Sequence, residues 1–281
     1  TAIGRSALGA NSTGASNVAV GKHALLSNTT ASFNTAVGNQ AGDALTTGNQ
    51  NTVVGWNSLS SATTAAYNVG IGYRSLLNLT TSNYNTALGY ETVRSTTTGT
   101  NLVGIGAFAL YENTTANNNV AVGYEAMRQN TTGGSNVAVG RRALKQNTTA
   151  SDNTALGYHA LELNTTGASN TAVGNTALDA NTTGANNTAV GNSCMTSATT
   201  GDKNVAVGSL ALDASTTGFQ NVAIGYNSLT TLTITGRNTA VGHESMKSTT
   251  EAGSNTAVGH QCMMSNTTGS YNVAMGLQAL T

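Results

Sequence analysis

The feature that most constrains this chain is a five-residue pattern that returns every 17 residues. One copy, Asn136–Gly140, reads Asn-Val-Ala-Val-Gly. The glycine recurs at this interval from Gly4 to Gly276, seventeen times without a gap. Asparagine opens the pattern in 15 of its 16 complete copies, and Leu102 is the exception. A fixed period of this length predicts a fold in which each repeat stacks on the one before it.

We number the repeat positions from this asparagine, which is position 0. Position 1 is Thr or Val, position 2 is usually Ala, position 3 is aliphatic or Met, and position 4 is Gly. This alternation predicts a strand whose β-branched residues face one side and whose Ala and Gly face the other. Position 7 is small, and position 8 is large and apolar in every copy except at Gly42. This pair of positions predicts a second short strand. Asn-Thr-Thr-Gly at positions 11 to 14 is typical of a turn.

Two strands and two turns in 17 residues describe one coil of a parallel β-solenoid, whereas helical repeats need about 33 residues or more. Residues 1–281 then form a single all-β solenoid domain of about 16.5 coils. With strands ~4.8 Å apart, the coils would build a rod of roughly 80 Å. Because the chain begins and ends inside a repeat, we expect it to be an excerpt of a longer protein.

The composition narrows the class of protein further. Only 8% of the residues are charged, and the 11 acidic residues balance the 11 basic ones. A globular domain normally carries about 25% charged residues, so a fibrous or solenoidal protein is favoured. Without a basic surface to displace counterions, no nucleic-acid partner is expected. No stretch approaches the ~20 apolar residues of a membrane span, so no membrane insertion is expected either. Disorder is an alternative, but a disordered chain need not hold aliphatic residues at one repeat position.

Each coil has few residues with which to build a core. Positions 3 and 8 supply two large apolar side chains, and position 1 supplies one in about half of the coils. At roughly 1.5–3 kcal/mol for each buried side chain, this barely offsets the ordering of one repeat. The Ala and Gly at positions 2 and 4 would let another backbone pack closely against them. We therefore expect an oligomer in which this side of the strand contacts partner chains.

The repeat also resembles known fibrous proteins along the whole chain. Asn-Val-Ala-Val-Gly resembles the Ser-Val-Ala-Ile-Gly repeat of trimeric autotransporter adhesin heads. The copies Asn153–Ser169 and Asn170–Asn186 are more similar to the Asn-Thr-Ala-Val-Gly, Ala-Leu, Asn-Thr-Thr-Gly arrays of phage and virus tail-fibre-like proteins. The resemblance implies a left-handed parallel β-roll, three chains about one axis, and a role in surface attachment. The 17-residue unit is longer than the usual adhesin head repeat.

Position 5 varies freely and carries the candidate binding residues. Exposed aromatic side chains at ~4.8 Å steps would form a stripe able to stack on sugar rings or on another fibre. The alternative is that these rings only cover the edge of a thin core. The aromatic stripe consists of Trp56, Tyr73, Tyr90, Tyr124, Tyr158 and Tyr226.

Three polar ladders are candidates for other roles. The asparagines at position 0 favour a structural ladder of amide hydrogen bonds over a binding row. Threonines at positions 12 and 13, such as Thr131 and Thr132, could form an ice-binding face. Adjacent strand residues point to opposite sides, however, and that argues for a structural ladder. Asn113 and Asn130 open Asn-X-Thr sequences at position 11, which match a glycosylation acceptor but are also typical turn residues.

The remaining chemical groups form no recognisable catalytic pattern. His243 and His260 occupy position 5 on neighbouring coils, but no carboxylate or cysteine pattern supports a metal site. Cys194 and Cys262 both replace Ala at position 7, about four coils apart, which is too far for a mutual disulfide. We expect them to be small buried residues. No Ser-His-Asp set or carboxylate pair recurs, so no enzyme activity and no cofactor are expected.

These observations favour an attachment or structural segment of an extracellular homotrimeric fibre. A phage tail fibre or virion appendage comes first and a bacterial adhesin second, with a cell-surface glycan or protein as receptor. Repeated weak contacts would add by avidity along such a fibre. An ice-binding solenoid is the alternative from another class, and a filament without a ligand is a third hypothesis.

Overall fold

The computed structural model describes all 281 residues and divides them into two compact units, Thr1–Val139 and Gly140–Thr281. Each unit is an all-β parallel β-solenoid, and together they contain about sixteen turns and no helix. The first unit contains β1 (Ala2–Ile3), β2 (Val18–Val20), β3 (Thr35–Val37), β4 (Thr52–Val54), β5 (Val69–Ile71), β6 (Thr86–Leu88), β7 (Val103–Ile105), β8 (Val120–Val122) and β9 (Val137–Val139). The second contains β10 (Thr154–Leu156), β11 (Thr171–Val173), β12 (Thr188–Val190), β13 (Val205–Val207), β14 (Val222–Ile224), β15 (Thr239–Val241), β16 (Thr256–Val258) and β17 (Val273–Met275).

Within each unit, consecutive strands pair in parallel with paired residues 17 positions apart. In the first unit Ala19 of β2 pairs with Ala36 of β3, and in the second Ala172 of β11 pairs with Ala189 of β12. The strands cover positions 1 to 3 of the repeat, where β-branched residues suit a pleated backbone. Each turn of the solenoid therefore places the same repeat position above its copy in the turn before.

The predicted second strand at positions 7 and 8 is wrong. This segment is a run of turns in which positions 6 and 8 take left-handed backbone angles, as at His23 (φ 61°) and Leu25 (φ 49°). Some of its amides bond to the adjacent turn, since Leu25 N–H donates to the carbonyl of Ala41 over 3.0 Å. Others close short loops within the segment, since Leu26 N–H donates to the His23 carbonyl over 3.3 Å.

The two sides of each strand are the reverse of what the sequence analysis predicts. Alanine at position 2 faces the solenoid interior, and Ala19 and Ala138 are both fully buried. Aliphatic residues at position 3 face outward, with Val54 36% exposed and Leu88 44% exposed. The prediction that position 3 builds the core is therefore wrong, whereas position 8 does build it, as at the fully buried Leu25.

The glycine at position 4 serves the packing of this chain on itself. Gly38 has φ 138°, a backbone conformation that side chains disfavour. A Cβ on Gly38 would also lie 2.5 Å from the carbonyl oxygen of Gly55 in the next turn. The close approach that the sequence analysis assigns to partner chains thus occurs between successive turns of one chain.

The interior is narrow, and residues in adjacent turns compensate for one another in size. A Cβ on Gly104 would lie only 2.6 Å from Val93 Cγ2, so no alanine fits beside this valine. At Gly42 the situation is reversed, because this turn lacks the large apolar side chain that position 8 has in the other turns. Leu45 and Val53 fill the space, because a Cβ on Gly42 would lie 3.1 Å from Leu45 Cδ1 and 3.5 Å from Val53 Cγ2.

Candidate functional site

Repeat positions 5, 6 and 9 form one outward side of each turn. The left-handed residue at position 8 directs its side chain inward. Positions 5, 6 and 9 carry polar and aromatic side chains that range from exposed, as at Tyr124, to covered by their neighbours, as at Glu91. Positions 6 and 9 are close enough for ion pairs, as between Glu125 and Arg128, whose Oε1 and Nη1 atoms are 2.9 Å apart. The predicted stripe at position 5 therefore belongs to a broader surface, which we call the 5/6/9 surface.

Three residues of the predicted stripe form a continuous stack in the first unit. The rings of Trp56 and Tyr73 are 5.0 Å apart at 27°, and those of Tyr73 and Tyr90 are 5.0 Å apart at 3°. Both faces of the Tyr73 ring are therefore occupied by its neighbours. Stacked at these distances, the three rings offer a sugar ring no free ring face between them.

The aromatic surface of the first unit continues through two residues that the sequence analysis missed. Phe108 contacts Tyr90 edge-on, with ring centres 5.3 Å apart, and also meets Tyr124 at 6.2 Å. Tyr111 meets Phe108 at 5.7 Å. Phe108 and Tyr111 occupy positions 6 and 9, so inspection of position 5 alone could not find them. Treating positions 5, 6 and 9 as one set would have done so.

Arginines cover these rings. The guanidinium carbon of Arg74 lies 5.0 Å from the Trp56 ring centre and 5.1 Å from that of Tyr73. Glu91 Oε1 lies 3.5 Å from Arg74 Nη1 and 3.6 Å from Arg94 Nε, so one carboxylate serves two arginines. The combination of ring, guanidinium and carboxylate orders this surface and leaves it close to neutral.

Arg94 and Arg128 extend this arrangement to the next turns. Arg94 Nη1 donates a 2.6 Å hydrogen bond to the Tyr111 hydroxyl. Arg128 lies over the rings of both Phe108 and Tyr111, at 5.5 and 5.7 Å. The side chains of this surface therefore hold one another in place.

Tyr158, the next predicted residue, lies in the second unit in a different setting. Arg141 Nη1 donates a 2.9 Å hydrogen bond to its hydroxyl, and the ring of His159 stacks on it at 3.8 Å. His159 Nδ1 lies 2.6 Å from Glu162 Oε2, while its Nε2 is buried without a hydrogen-bond partner. Burial and then the nearby Glu162 raise the pKa of Asp179. The sequence analysis did not anticipate this cluster of ionisable groups.

Tyr226 stacks on His243 at 5.4 Å, and His243 stacks on His260 at 5.0 Å and 7°. The two imidazoles lie parallel instead of converging on one point. Glu244 beside them accepts hydrogen bonds from Lys247, over 2.7 Å, and from Gln261, over 2.9 Å. These contacts lower the pKa of Glu244 to about 2. No group of three or more His, Cys, Asp or Glu side chains in the structure could hold a metal ion.

The asparagines at positions 0 and 11 form structural ladders. The backbone N–H of Asn34 donates to Asn17 Oδ1 over 2.9 Å, and Asn34 Nδ2 donates to the Gly48 carbonyl over 2.9 Å. At position 11, Asn130 Nδ2 donates to Asn113 Oδ1 over 3.0 Å, and both side chains are fully buried. Asn113 and Asn130 therefore lie in the interior, out of reach of a glycosylating enzyme in the folded chain.

The two threonine ladders differ from each other. At position 12 the hydroxyl is committed to the next turn, since Thr46 Oγ1 donates to the Thr63 carbonyl over 3.0 Å. At position 13 the side chain is exposed, as at Thr64 and Thr132. Each unit therefore has one exposed column of threonines, at position 13, and not the two exposed columns that an ice-binding face built from positions 12 and 13 would need.

Both cysteines are free and buried, as the sequence analysis predicts. Burial raises the pKa of Cys194 to about 12, which keeps its thiol protonated and unreactive at neutral pH.

Comparison with protein-family models, with curated proteins and with solved structures found no match to this chain. The structure contains no helix able to span a membrane. Any functional conclusion therefore depends on the surfaces described above.

Proposed function

We propose that this chain is the structural and attachment segment of an extracellular homotrimeric fibre, as in a phage tail fibre or an adhesin head. Each coil would be a 17-residue unit of a left-handed β-roll. The observation that carries the proposal is the outward side of the strands, positions 1 and 3, which we call the apolar face. Ile71 and Ile105 are each 36% exposed on this face, and Leu156 is 47% exposed.

The apolar face is large and uncharged. Positions 1 and 3 carry only Thr, Val, Ile, Leu or Met in every turn. Nine strands at ~4.8 Å spacing, eight of them with three residues spanning ~10 Å, give the first unit a face of roughly 400 Å². Contiguous apolar patches of this size commonly mark interaction sites. Another copy of the chain fits the face well, because its own face has the same strand spacing and also lacks charge.

The number of copies comes from the resemblance of the repeat to trimeric fibre proteins. Three copies whose apolar faces point to a common axis would shield these faces from water. The side chains at positions 6 and 9 would then remain at the periphery, and those at position 5 would lie along the margin of the shielded face. Three copies of each surface repeated along a fibre would let weak contacts with a cell-surface glycan or protein add by avidity.

The oligomeric state tests the first half of the proposal. Multi-angle light scattering of the purified chain should give three times the mass of one chain. A matched variant with Ile71→Lys and Ile105→Lys places charges on the apolar face and should give monomers. A folded monomer in the parent protein would refute the fibre hypothesis.

Receptor binding tests the second half. On a glycan array, or against host cells, one variant changes the stacked rings Trp56, Tyr73 and Tyr90 to Ser. The other changes the separated Tyr124, Tyr158 and Tyr226 to Ser. Serine occupies the same position at Ser209, so the backbone accepts it. Binding that persists unchanged in both variants would remove the stripe from the proposal.

The exposed threonine column at position 13 favours ice binding as the second candidate function. Its regular spacing is what an ice face requires, but a single column offers few contacts to an ordered water layer. We expect no thermal hysteresis from the parent protein. Clear hysteresis that disappears on changing Thr64, Thr81 and Thr98 to Lys would replace the attachment proposal.

A further inference from the structure

Each strand of the apolar face has a residue on either side that lines its margin. Position 16 precedes the strand and position 5 follows it. At β5 these residues are Tyr67 and Tyr73, and at β6 they are Tyr84 and Tyr90. Tyr67 and Tyr84 stack on each other with ring centres 5.1 Å apart at 10°, as Tyr73 and Tyr90 do at 5.0 Å. Of the seventeen strands, β5 and β6 are the two with a tyrosine on both margins.

We infer that these four tyrosines form an intersubunit aromatic contact, in which each copy supplies one half. The inference rests on the homotrimer proposed above. Rotation about an axis along the stacking direction keeps each strand level with its counterpart and brings one margin to the opposite margin of the next copy. Tyr73 and Tyr90 of one copy then meet the next copy's Tyr67 and Tyr84. Three such contacts, one at each junction between copies, would close the assembly.

The exposure and chemistry of the rings support this contact. Tyr84 is 59% exposed, Tyr67 is 48% exposed and Tyr90 is 46% exposed. Their faces are partly occupied within their own stack, so the exposed parts are edges. Edges of one stack can pack against the other in the edge-to-face or offset arrangements that aromatic pairs prefer. Tyrosine is also among the residues most enriched at the centres of protein interfaces.

The charges along the two margins are compatible with copies that are parallel and level. Asp152 before β10 faces Tyr158 after it, and Lys203 before β13 faces Ser209 after it. No strand carries a formally charged residue on both margins, with histidine counted as neutral. The level arrangement therefore brings no like charges together at any junction.

This contact divides the aromatic stripe by role. Tyr73 and Tyr90 would be covered by the next copy, with Trp56 closing the end of their stack. Tyr124 has Asn118 on the opposite margin of β8, and Tyr226 has Gln220 on the opposite margin of β14. Across a junction these rings meet an amide side chain instead of a ring, so the stack supplies the aromatic subunit contact and these tyrosines do not.

Cysteine pairs on the margins of β7 test the arrangement with all tyrosines intact. Asn101→Cys and Ala107→Cys in one chain lie on opposite sides of an extended strand of ~10 Å, too far for an internal disulfide. Under mild oxidation we expect a covalent trimer on a non-reducing gel. The matched control, Ser135→Cys with Ala107→Cys, is displaced by two turns, or ~10 Å, and should stay uncrosslinked. Each single-cysteine variant should also stay uncrosslinked.

Removal of one tyrosine column tests the aromatic contact itself. Tyr67→Ser with Tyr84→Ser should shift trimer dissociation to a higher protein concentration and reduce the yield of the β7 crosslink. The control Tyr124→Ser should leave both unchanged. Serine is suitable because Ser135 takes the same position with φ 58°.

The outcomes separate this inference from the proposed function. The aromatic contact alone is overturned if light scattering shows a trimer but the β7 crosslink does not form. It is also overturned if replacing Tyr67 and Tyr84 changes neither trimer dissociation nor the crosslink yield. Crosslinking by Ala107→Cys by itself would indicate like margins meeting in a two-fold dimer and would overturn it as well. A monomeric parent protein would overturn both the contact and the fibre.

Discussion

Ala198→Asn should stabilise the second unit, because the ladder of buried asparagines at position 11 ends at Asn181 and Ala198 in the next turn has no side-chain amide to continue it. At position 11, Asn181 Nδ2 donates to Asn164 Oδ1 over 2.8 Å and to the Gly184 carbonyl over 3.0 Å. Asn181 Oδ1, however, is buried without a partner, because the next turn carries Ala198. One turn further, Ser215 Oγ is also buried without a partner.

The expected gain follows from counting these atoms. With the side-chain conformation of Asn181, the new amide would donate to Asn181 Oδ1 and to the Gly201 carbonyl, and it would accept from Ser215 Oγ. Three hydrogen bonds at ~0.5–1.5 kcal/mol each are opposed by about 1 kcal/mol for ordering the side chain. We expect Ala198→Asn to raise the free energy of unfolding by about 0.5–3.5 kcal/mol.

Urea denaturation monitored by circular dichroism, at one fixed protein concentration, measures this change. Ala62→Asn is the matched control, because Ala62 is a fully buried alanine at the same position 11. Its neighbours in the ladder are Leu45 and Leu79, which offer no donor to the new oxygen. That variant should lose about 1–2 kcal/mol. Equal destabilisation by the two substitutions would show that the unpaired atoms of Asn181 and Ser215 are not what limits this part of the core.

Two further predictions concern size compensation and ionisation. Gly42→Leu alone should destabilise the first unit by about 1–3 kcal/mol, because Leu45 and Val53 occupy the space. Adding Leu45→Asn and Val53→Ala should return the free energy of unfolding to within about 1 kcal/mol of the parent value, and a purely additive loss would contradict this packing. Lys247→Met should raise the pKa of Glu244 from about 2 toward its ordinary 4.5, as measured by NMR titration of the carboxyl carbon. Since the folded pKa is depressed, the stabilisation from this ionised group is present above about pH 4.5 and is lost as the pH falls through about 2.

Strict periodicity made the main features of the fold predictable. Seventeen evenly spaced glycines predict parallel strands with partners 17 residues apart, and Ala19 pairs with Ala36 as expected. The ladder role of the position 0 asparagines and the burial of Leu25 follow from the same spacing. Periodicity works here because every turn must present the same groups to the next one.

The second strand could not be excluded from the sequence because its backbone is unusual for its residues. Leu25 and Leu144 have φ values of 49° and 51°, in a region where residues other than glycine are uncommon. A small residue followed by a large apolar one is a normal strand pattern. The left-handed angle occurs together with hydrogen bonds to adjacent turns, such as that from Leu25 N–H to the Ala41 carbonyl, and the residue types at position 8 do not reveal it.

The candidate site was predictable only as a column. Position 5 of the repeat identified Trp56, Tyr73 and Tyr90, and the structure stacks them. Phe108 and Arg74 were missed, because side chains at positions 5 and 6 come into contact only through the turns of this segment. The sequence analysis predicted a strand at positions 7 and 8 instead of these turns. The same error concealed the fact that the stacked rings cover one another.

The reversed strand shows how the width of a coil decides which residues face inward. Average burial preferences place valine inside and leave alanine for closer contacts. At Gly104, however, even a Cβ would collide with Val93, so the interior beside a filled position 8 accepts no large side chain at position 2. One large residue per turn, such as Leu110, fills the available space. The remaining aliphatic residues must face outward, as Ile71 and Leu88 do. In a coil this narrow, surplus aliphatic residues therefore indicate an exposed apolar surface and not a larger core.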